Sequence, residues 1–283
     1  MQGEVARDIS GNGRDALIDT NRVDRIRDAP GGGALWFRGV AESPASGVSA
    51  PVAVPDFSEV GLSNGLSVSA WVYVESAAPF ASLVASSSSL GGWENGFGLY
   101  IGERGGIGAY VRSGEDGNAA EGGLLSTGVW RHVAMAYSGM ELVLYLDGCL
   151  VASRSFSSAA SADATAPLAI GPLQVPGSGP LFSGAIADVR VWSKALTQQE
   201  VRAAYAQFLG EALDPNADDD GDGMPNGWEI RHSLDPRDAT DASLDSDGDG
   251  MTNLQEWRLG RNPRIGVSVA SPSLIKSGTV VGP

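Results

Sequence analysis

Two twelve-residue stretches, DDDGDGMPNGWE from Asp218 and DSDGDGMTNLQE from Asp245, place oxygen donors at the positions from which a loop encloses a hard cation. Positions 1, 3 and 5 are Asp218, Asp220 and Asp222 in the first copy and Asp245, Asp247 and Asp249 in the second. Position 6 is glycine both times, which permits the sharp turn that folds the chain back around an ion. Glu229 and Glu256 at position 12 close the shell bidentately. The backbone carbonyls of Met224 and Met251 supply position 7, and Asn226 and Asn253 at position 9 bind directly or through a water. A shell of six or seven oxygens suits Ca²⁺ and fits Mg²⁺ poorly, so the expected cofactor is calcium, one ion per loop.

An acidic solvated linker would share this composition but not its register. The second stretch starts 27 residues after the first, and Pro236 and Pro263 each stand seven residues beyond the closing glutamate. Charge is concentrated in the same region. Of the net −15, residues 1–209 carry 13 basic and 20 acidic side chains, while residues 210–283 carry 6 and 14. Two Ca²⁺ would relieve much of the repulsion within the tail. Nucleic acid and anionic membrane are excluded as partners by the same balance, and no apolar stretch is long enough to insert in a membrane.

The elements that precede the loops are β-strands. From Ala34 to Trp192 short alternating runs are separated by Gly, Ser and Pro, the pattern of an antiparallel sandwich. Residues 66–74, 96–102, 130–138 and 182–192 are the clearest strands, and residues 141–153 form a hairpin with a type I′ turn at Asp147-Gly148. One helix is expected from Thr197 to Leu209, started by a Thr197/Glu200 capping box, striped by Val201, Tyr205 and Phe208, and ended by Gly210. Trp36, Trp71, Trp130 and Trp192 fall in strand patterns and read as core. Cys149 is the single cysteine, so no disulfide forms within the chain, and its place in an apolar strand reads as packing. The first thirty residues lack the apolar core of a secretory signal.

Catalytic patterns find little support. A glycosidase needs two carboxylates flanking the bond, and the E-x-D-x-x-E strand pattern that supplies them on one sheet face is absent. Residues 61–65 spell G-x-S-x-G, but a strand follows where a nucleophile elbow requires a helix. The two histidines are His132, within a strand, and His232, in the tail. The chain is therefore expected not to be an enzyme.

Four segments carry a resemblance: GGGALWFRG (31–39), residues 52–74, WRHVAMAYSGMELVLYLDGCLVAS (130–153) and LFSGAIADVRVWSKALTQQEV (181–201). In order they resemble the concanavalin A-like, laminin G type jelly roll of bacterial surface proteins, over about residues 8–209. The resemblance implies a mostly β, two-sheet antiparallel sandwich of a dozen or more strands that binds glycans or proteins. The tail resembles bacterial thrombospondin type 3 or dockerin-like calcium repeats, although dockerins usually close their loops with Asp where Glu229 and Glu256 stand here. After each closing glutamate come Ile230 and Trp257, at equivalent places from which they pack the repeats together. Relatives of the sandwich often carry Asp where Arg38 sits, and an acidic pair where Ala187-Asp188 sits. Asp188 either helps hold a further calcium in the sandwich or serves a strand structurally.

These readings give three segments: a jelly roll at 8–209, tandem calcium loops at 210–263, and a linker or the start of another domain at 264–283. The expected function is a non-catalytic, extracellular or cell-surface binding module for a glycan or a cell-surface protein, carried on a calcium-rigidified stalk. The alternatives are a structural spacer and an accessory domain of a secreted hydrolase or protease. Trp93, in a Gly-rich loop, offers a face for a sugar with Glu94 and Asn95 beside it as hydrogen-bond partners, or packs over a sheet edge.

Overall fold

A computed structural model of the protein describes residues 4–26, 29–39, 50–55, 57, 65–87, 96–111, 119–157, 167–173, 182–212, 216–232 and 234–266. The chain divides into two compact units, Met1–Ala212 and Leu213–Pro283.

The first unit is a sandwich of two antiparallel sheets. Its strands in chain order are β1 (Glu4–Ala6), β2 (Ala16–Ile18), β3 (Val23–Ile26), β4 (Ala34–Arg38), β5 (Val52–Val54), β6 (Leu66–Ala77), β7 (Ser82–Ser87), β8 (Gly96–Ile101), β9 (Ile107–Val111), β10 (Ala119–Gly122), β11 (Trp130–Tyr137), β12 (Glu141–Leu146), β13 (Cys149–Ser155), β14 (Leu168–Ile170) and β15 (Phe182–Trp192). One sheet runs β1-β2-β5-β14-β7-β8-β9-β10 and the other β13-β12-β11-β6-β15-β4-β3. Neighbours distant in sequence, such as β6 between β11 and β15, give the crossed connections of a jelly roll.

Alternation fixes which side chains meet. In β6, Leu66, Val68, Ala70, Val72 and Val74 face the other sheet, and their register partners Tyr137, Met135 and Val133 of β11 join them in the core. Phe37, Phe97, Leu99, Leu144 and Phe182 complete a buried centre. Each such side chain contributes about 1.5–3 kcal/mol through burial. Gly184 belongs to this centre for a steric reason. A Cβ there would stand 2.1 Å from the Tyr73 carbonyl oxygen, and the bulge at Ser183/Gly184 leaves room for nothing larger.

The 141–155 hairpin turns at Asp147 and Gly148, both at positive φ (48° and 77°), as a type I′ connection requires. Helix α1 (Gln198–Ala212) starts on the expected capping box: the Thr197 hydroxyl accepts the Glu200 amide at 3.3 Å and the Glu200 carboxylate accepts the Thr197 amide at 2.8 Å. It does not end at Gly210. It continues to Ala212, three residues short of Pro215, because an interior glycine costs a helix only about 1 kcal/mol whereas proline disfavours it outright.

The tryptophans divide. Trp71 is fully buried and Trp192, half-buried, packs against the buried cluster of Ala134, Ala136 and Tyr145, but Trp36 and Trp130 are half-buried outside it, a correction to their assignment as core. Strand parity is the reason. Trp71 and Tyr73 alternate with the core residues of β6 and face outward, and so do their register partners. Tyr205 covers Trp71, while Val201 and Leu196 pack with Ala134, Ala136 and Tyr145.

The second unit contains α2 (Asn226–Arg231) and α3 (Asn253–Leu259), with a 3-10 turn at Asp241–Ser243 between the two acidic loops. Its apolar centre is Met224, Trp228, Leu234 and Ala242, with Leu254 and Trp257 against it. Trp257 meets Trp228, ring centroids 5.5 Å apart, so the residue packed against it lies before the first closing glutamate. The side chain of Ile230 is outside the described residues.

Candidate functional site

The two acidic loops fold alike. Asp218 Oδ1 accepts the amides of Gly221 (2.8 Å) and Asp222 (3.1 Å), and its Oδ2 accepts that of Gly223 (2.9 Å). Asp245 does the same for Gly248 (2.7 Å), Asp249 (3.2 Å) and Gly250 (2.9 Å). These bonds curl each loop around its first aspartate, and Gly223 and Gly250, with φ of 96° and 94°, make the return.

That curl spends one oxygen of each following aspartate and leaves the other. Asp220 Oδ1 takes the Asp222 amide and Asp222 Oδ1 takes the Met224 amide, with Asp247 and Asp249 repeating the arrangement. In all four the second oxygen, Oδ2, is buried with no hydrogen-bond partner. Glu229, fully buried, has both carboxylate oxygens in that condition, and Glu256 has Oε2. Carboxylate oxygens of Asp218, Asp220 and Asp222 lie within 4.8 Å of one another, as do those of Asp245, Asp247 and Asp249.

Electrostatics reflects this crowding. Burial, reinforced by the neighbouring Asp220, Asp222, Asp241 and Asp218, pushes Glu229 up to about 9. Burial lifts Asp220 to about 6, and raises Asp222 and Glu256 as well. Buried carboxylates that hydrogen-bond to nothing are costly unless a cation or a proton meets them. Oxygen donors alone, with no thiol or imidazole in any of the three clusters, fit a hard divalent cation.

The position-9 asparagines differ. Asn226 Oδ1 accepts the Asp219 amide at 3.0 Å and its Nδ2 donates to Asp219 Oδ1 at 3.0 Å, so this side chain clasps position 2 of its own loop. In the second copy position 2 is Ser246. There Asn253 Nδ2 donates to the Asp241 carbonyl at 2.8 Å, and Asn253 Oδ1 is buried and unpartnered. The Met224 and Met251 amides close onto Asp222 and Asp249, and the Met224 side chain is buried in the apolar centre. Asp241, which the twelve-residue spacing does not reach, brings its carboxylate within 4.8 Å of those of Asp222 and Glu229.

In the sandwich, Trp93, Glu94 and Asn95 lie outside the described residues. Three described aromatics on the outward face of the seven-stranded sheet, Trp36, Tyr73 and Trp130, are half-buried and lie in one row across β4, β6 and β11. Centroids are 5.9 Å apart for Trp36 and Tyr73 and 5.8 Å for Tyr73 and Trp130. Ala185 of β15, register partner of both Trp36 and Tyr73, is small enough to let the two rings meet over it. Beside the row stand the Asp24–Arg38 ion pair and Glu75, which accepts the Ser183 hydroxyl at 2.6 Å.

Among the described residues, three carboxylates of the sandwich are engaged. Glu121 accepts the Tyr100 hydroxyl at 2.8 Å, Asp147 pairs with Arg131 at 2.7 Å, and Asp188 pairs with Arg190 at 2.9 Å. Asp188 sits in a bulge of β15 at φ 44°, and burial raises its carboxyl against the pull of Arg190. His132 is buried against Trp71 and Tyr205 with neither ring nitrogen hydrogen-bonded.

Solved structures share this fold. The binding domain of Paraclostridial Mosquitocidal Protein 1 matches with a TM-score of 0.56 at 15% identity, over 73% of this chain and 52% of that one. The binding domain of botulinum neurotoxin serotype G matches with a TM-score of 0.54 at 13% identity, over 70% and 47%. Trypanosoma rangeli sialidase matches with a TM-score of 0.52 at 16% identity, over 72% and 31%. The chain thus spans about half of each toxin domain and a third of the sialidase, and at these identities the likeness is one of fold. No curated protein matches the sequence. No helix among the described residues is long and apolar enough to cross a membrane. Residues 46–202, more than half of the chain, match the family model Laminin_G_3, and the chain belongs to the concanavalin A-like lectin/glucanases superfamily.

Proposed function

We propose that the protein is a non-catalytic binding module of a secreted or cell-surface protein. Its sandwich recognises a glycan or a protein, and its second unit is a tandem calcium-binding segment of the thrombospondin type 3 or dockerin-like kind, serving as a stalk. The observation that carries the calcium part is the set of buried carboxylate oxygens left without partners in both loops, above all the two of Glu229. Asp218, Asp220, Asp222 and Glu229 would hold one Ca²⁺, and Asp245, Asp247, Asp249 and Glu256 the other. Bound calcium supplies positive charge that the buried carboxylates otherwise lack, so loop order and ion binding are one equilibrium.

The recognition part is supported by family membership and by two structures of the same fold that are binding domains, one of Paraclostridial Mosquitocidal Protein 1 and one of botulinum neurotoxin serotype G. The engagement of Glu121, Asp147 and Asp188 within the sandwich favours binding over hydrolysis, since general acid–base work needs a carboxyl pair facing the substrate. Trp36, at the end of the outward aromatic row, is the described side chain best suited to stack on a sugar ring, with Trp93 the other candidate.

A glycan array probed with the intact chain, in about 2 mM calcium and again in chelator, tests this reading. That concentration exceeds the ~10⁻⁴–10⁻³ M at which loops of extracellular modules bind. Binding in both conditions that is lost in Trp36→Ala or Trp93→Ala places recognition on the sandwich. Absence of binding in either condition, to glycans and to cell surfaces alike, overturns the recognition reading in favour of a spacer.

A further inference from the structure

We infer that Asp241, from the turn between the two loops, is an additional ligand of the first loop's cation, making that site a joint product of both repeats and the tighter of the two. This rests on the calcium reading of the loops.

The geometry singles out this carboxylate. Asp241 is 6% exposed, and its Oδ1 is buried with no hydrogen-bond partner. Its carboxylate lies within 4.8 Å of those of Asp222 and Glu229, the latter fully buried with both oxygens unpartnered. Three acidic groups brought this close out of water need a countercharge. Asp241 is also held in place rather than left to swing away. Its Oδ2 accepts the Asp235 amide at 2.8 Å, its amide donates to the Asp238 carbonyl at 3.0 Å, and the adjoining Ala242 packs with Met224 and Trp228.

The same residue ties the first site to the second loop. The Asp241 carbonyl accepts Asn253 Nδ2 at 2.8 Å, and Asn253 stands at position 9 of the second loop, its amide bonded to the Leu244 carbonyl at 2.8 Å. Closure of the second loop therefore positions a ligand of the first. The converse contribution is missing from the sequence. The residue 27 positions after Asp241 is Ser268, which carries no carboxylate. Near Glu256 the added charge is instead that of Arg261, which opposes a cation. Affinity in such loops rises with the number of charged ligands, so the first site outbinds the second.

A proton shared between Asp241 and Glu229 would also explain their closeness, and it predicts a different response to substitution. An amide in place of the Asp241 carboxylate keeps a donor for Glu229 but removes a charged ligand. Calcium titrations by calorimetry on the full chain separate the two. In a Glu256→Gln background, where the first site dominates, Asp241→Asn is expected to weaken calcium binding at least tenfold. In a Glu229→Gln background, where the second site dominates, Asp241→Asn is expected to change affinity no more than about threefold. Unchanged affinity in the first background, or equal weakening in both, overturns the inference while leaving the calcium reading intact. If the unmodified chain binds no calcium, the calcium reading itself fails. Should Asp241→Asn not fold in saturating calcium, Asp241→Ser is measured and judged by the same two comparisons.

Discussion

Tyr205 of helix α1 stacks on Trp71 of β6, ring centroids 5.5 Å apart and planes 27° from parallel, and this contact helps bury the outward face of the seven-stranded sheet. β6 up to Val72 and β11 from His132 onward are consequently covered on both sides, by the second sheet within and by the helix without. Removing the Tyr205 ring should expose Trp71 and leave a void that the helix cannot fill by settling. Tyr205→Ala is expected to destabilise the sandwich by about 3 kcal/mol, as large aromatic truncations do. Tyr205→Phe keeps the ring and should cost about 1 kcal/mol. Urea unfolding of both variants checks the difference, and equal stabilities would show that the stack contributes nothing.

His132 lies beneath the same helix, and burial, aided by the nearby Arg190 charge, depresses its pKa to about 3. The unfolded chain takes up a proton near pH 6.5 that the folded chain refuses. Stability from this residue is therefore complete above about pH 6.5 and is lost as pH falls toward 3, by up to about 1.4 kcal/mol per pH unit. Urea midpoints of the parent and of His132→Phe, compared at pH 7, 6 and 5, isolate this contribution from that of the carboxylates. The parent should lose stability faster than the variant as pH falls. Parallel curves would mean that the imidazole gains a proton while folded.

The expectations that held came from local rules. The Thr197/Glu200 box and the Asp147-Gly148 turn depend on a few adjacent residues, and the structure places both as their spacing implies. The six-position register of the acidic loops is likewise local, which is why their curl around Asp218 and Asp245 was legible. Asp241 was not, because its approach to Glu229 depends on how two repeats pack around Trp228 and Met224. Trp36 and Trp130 misled for a related reason. A strand buried on both faces shows no hydropathic alternation, so its outward aromatics look like core until the limited reach of the covering helix is known.

Asp147 joins two neighbouring residues of β11 through one carboxylate: Oδ1 accepts the His132 amide at 2.7 Å and Oδ2 lies 2.7 Å from Arg131 Nε. The aspartate side chain is 3% exposed and that of the arginine 24%, so solvent screens the pair only in part. Removing the acid leaves a partly buried guanidinium and an amide in need of an acceptor. Asp147→Ala should cost about 2–4 kcal/mol, also because a residue with a Cβ other than Asp or Asn is strained at φ 48°. In a double-mutant cycle with Arg131→Ala the coupling should be about 1–3 kcal/mol. A coupling near zero would assign the whole effect to the turn.

Calcium removal should act on one unit and spare the other. In the second unit eight loop carboxylates, those of Asp218, Asp220, Asp222, Glu229, Asp245, Asp247, Asp249 and Glu256, share a region whose apolar centre, among the described residues, is one small cluster. On the proposed calcium reading, their mutual repulsion should exceed what that cluster offsets when no ion is bound. Trp228 and Trp257 report on the outcome, since rings 5.5 Å apart at 56° give a near-ultraviolet dichroism that depends on fixed packing. Chelator should abolish that signal and open Arg231 and Arg237 to trypsin, while the sandwich, with its large core, keeps its resistance. Restoring millimolar calcium should reverse both changes. Identical dichroism and identical cleavage in calcium and in chelator would mean that the loops hold their shape by hydrogen bonds and shared protons alone, and the calcium assignment would then be abandoned.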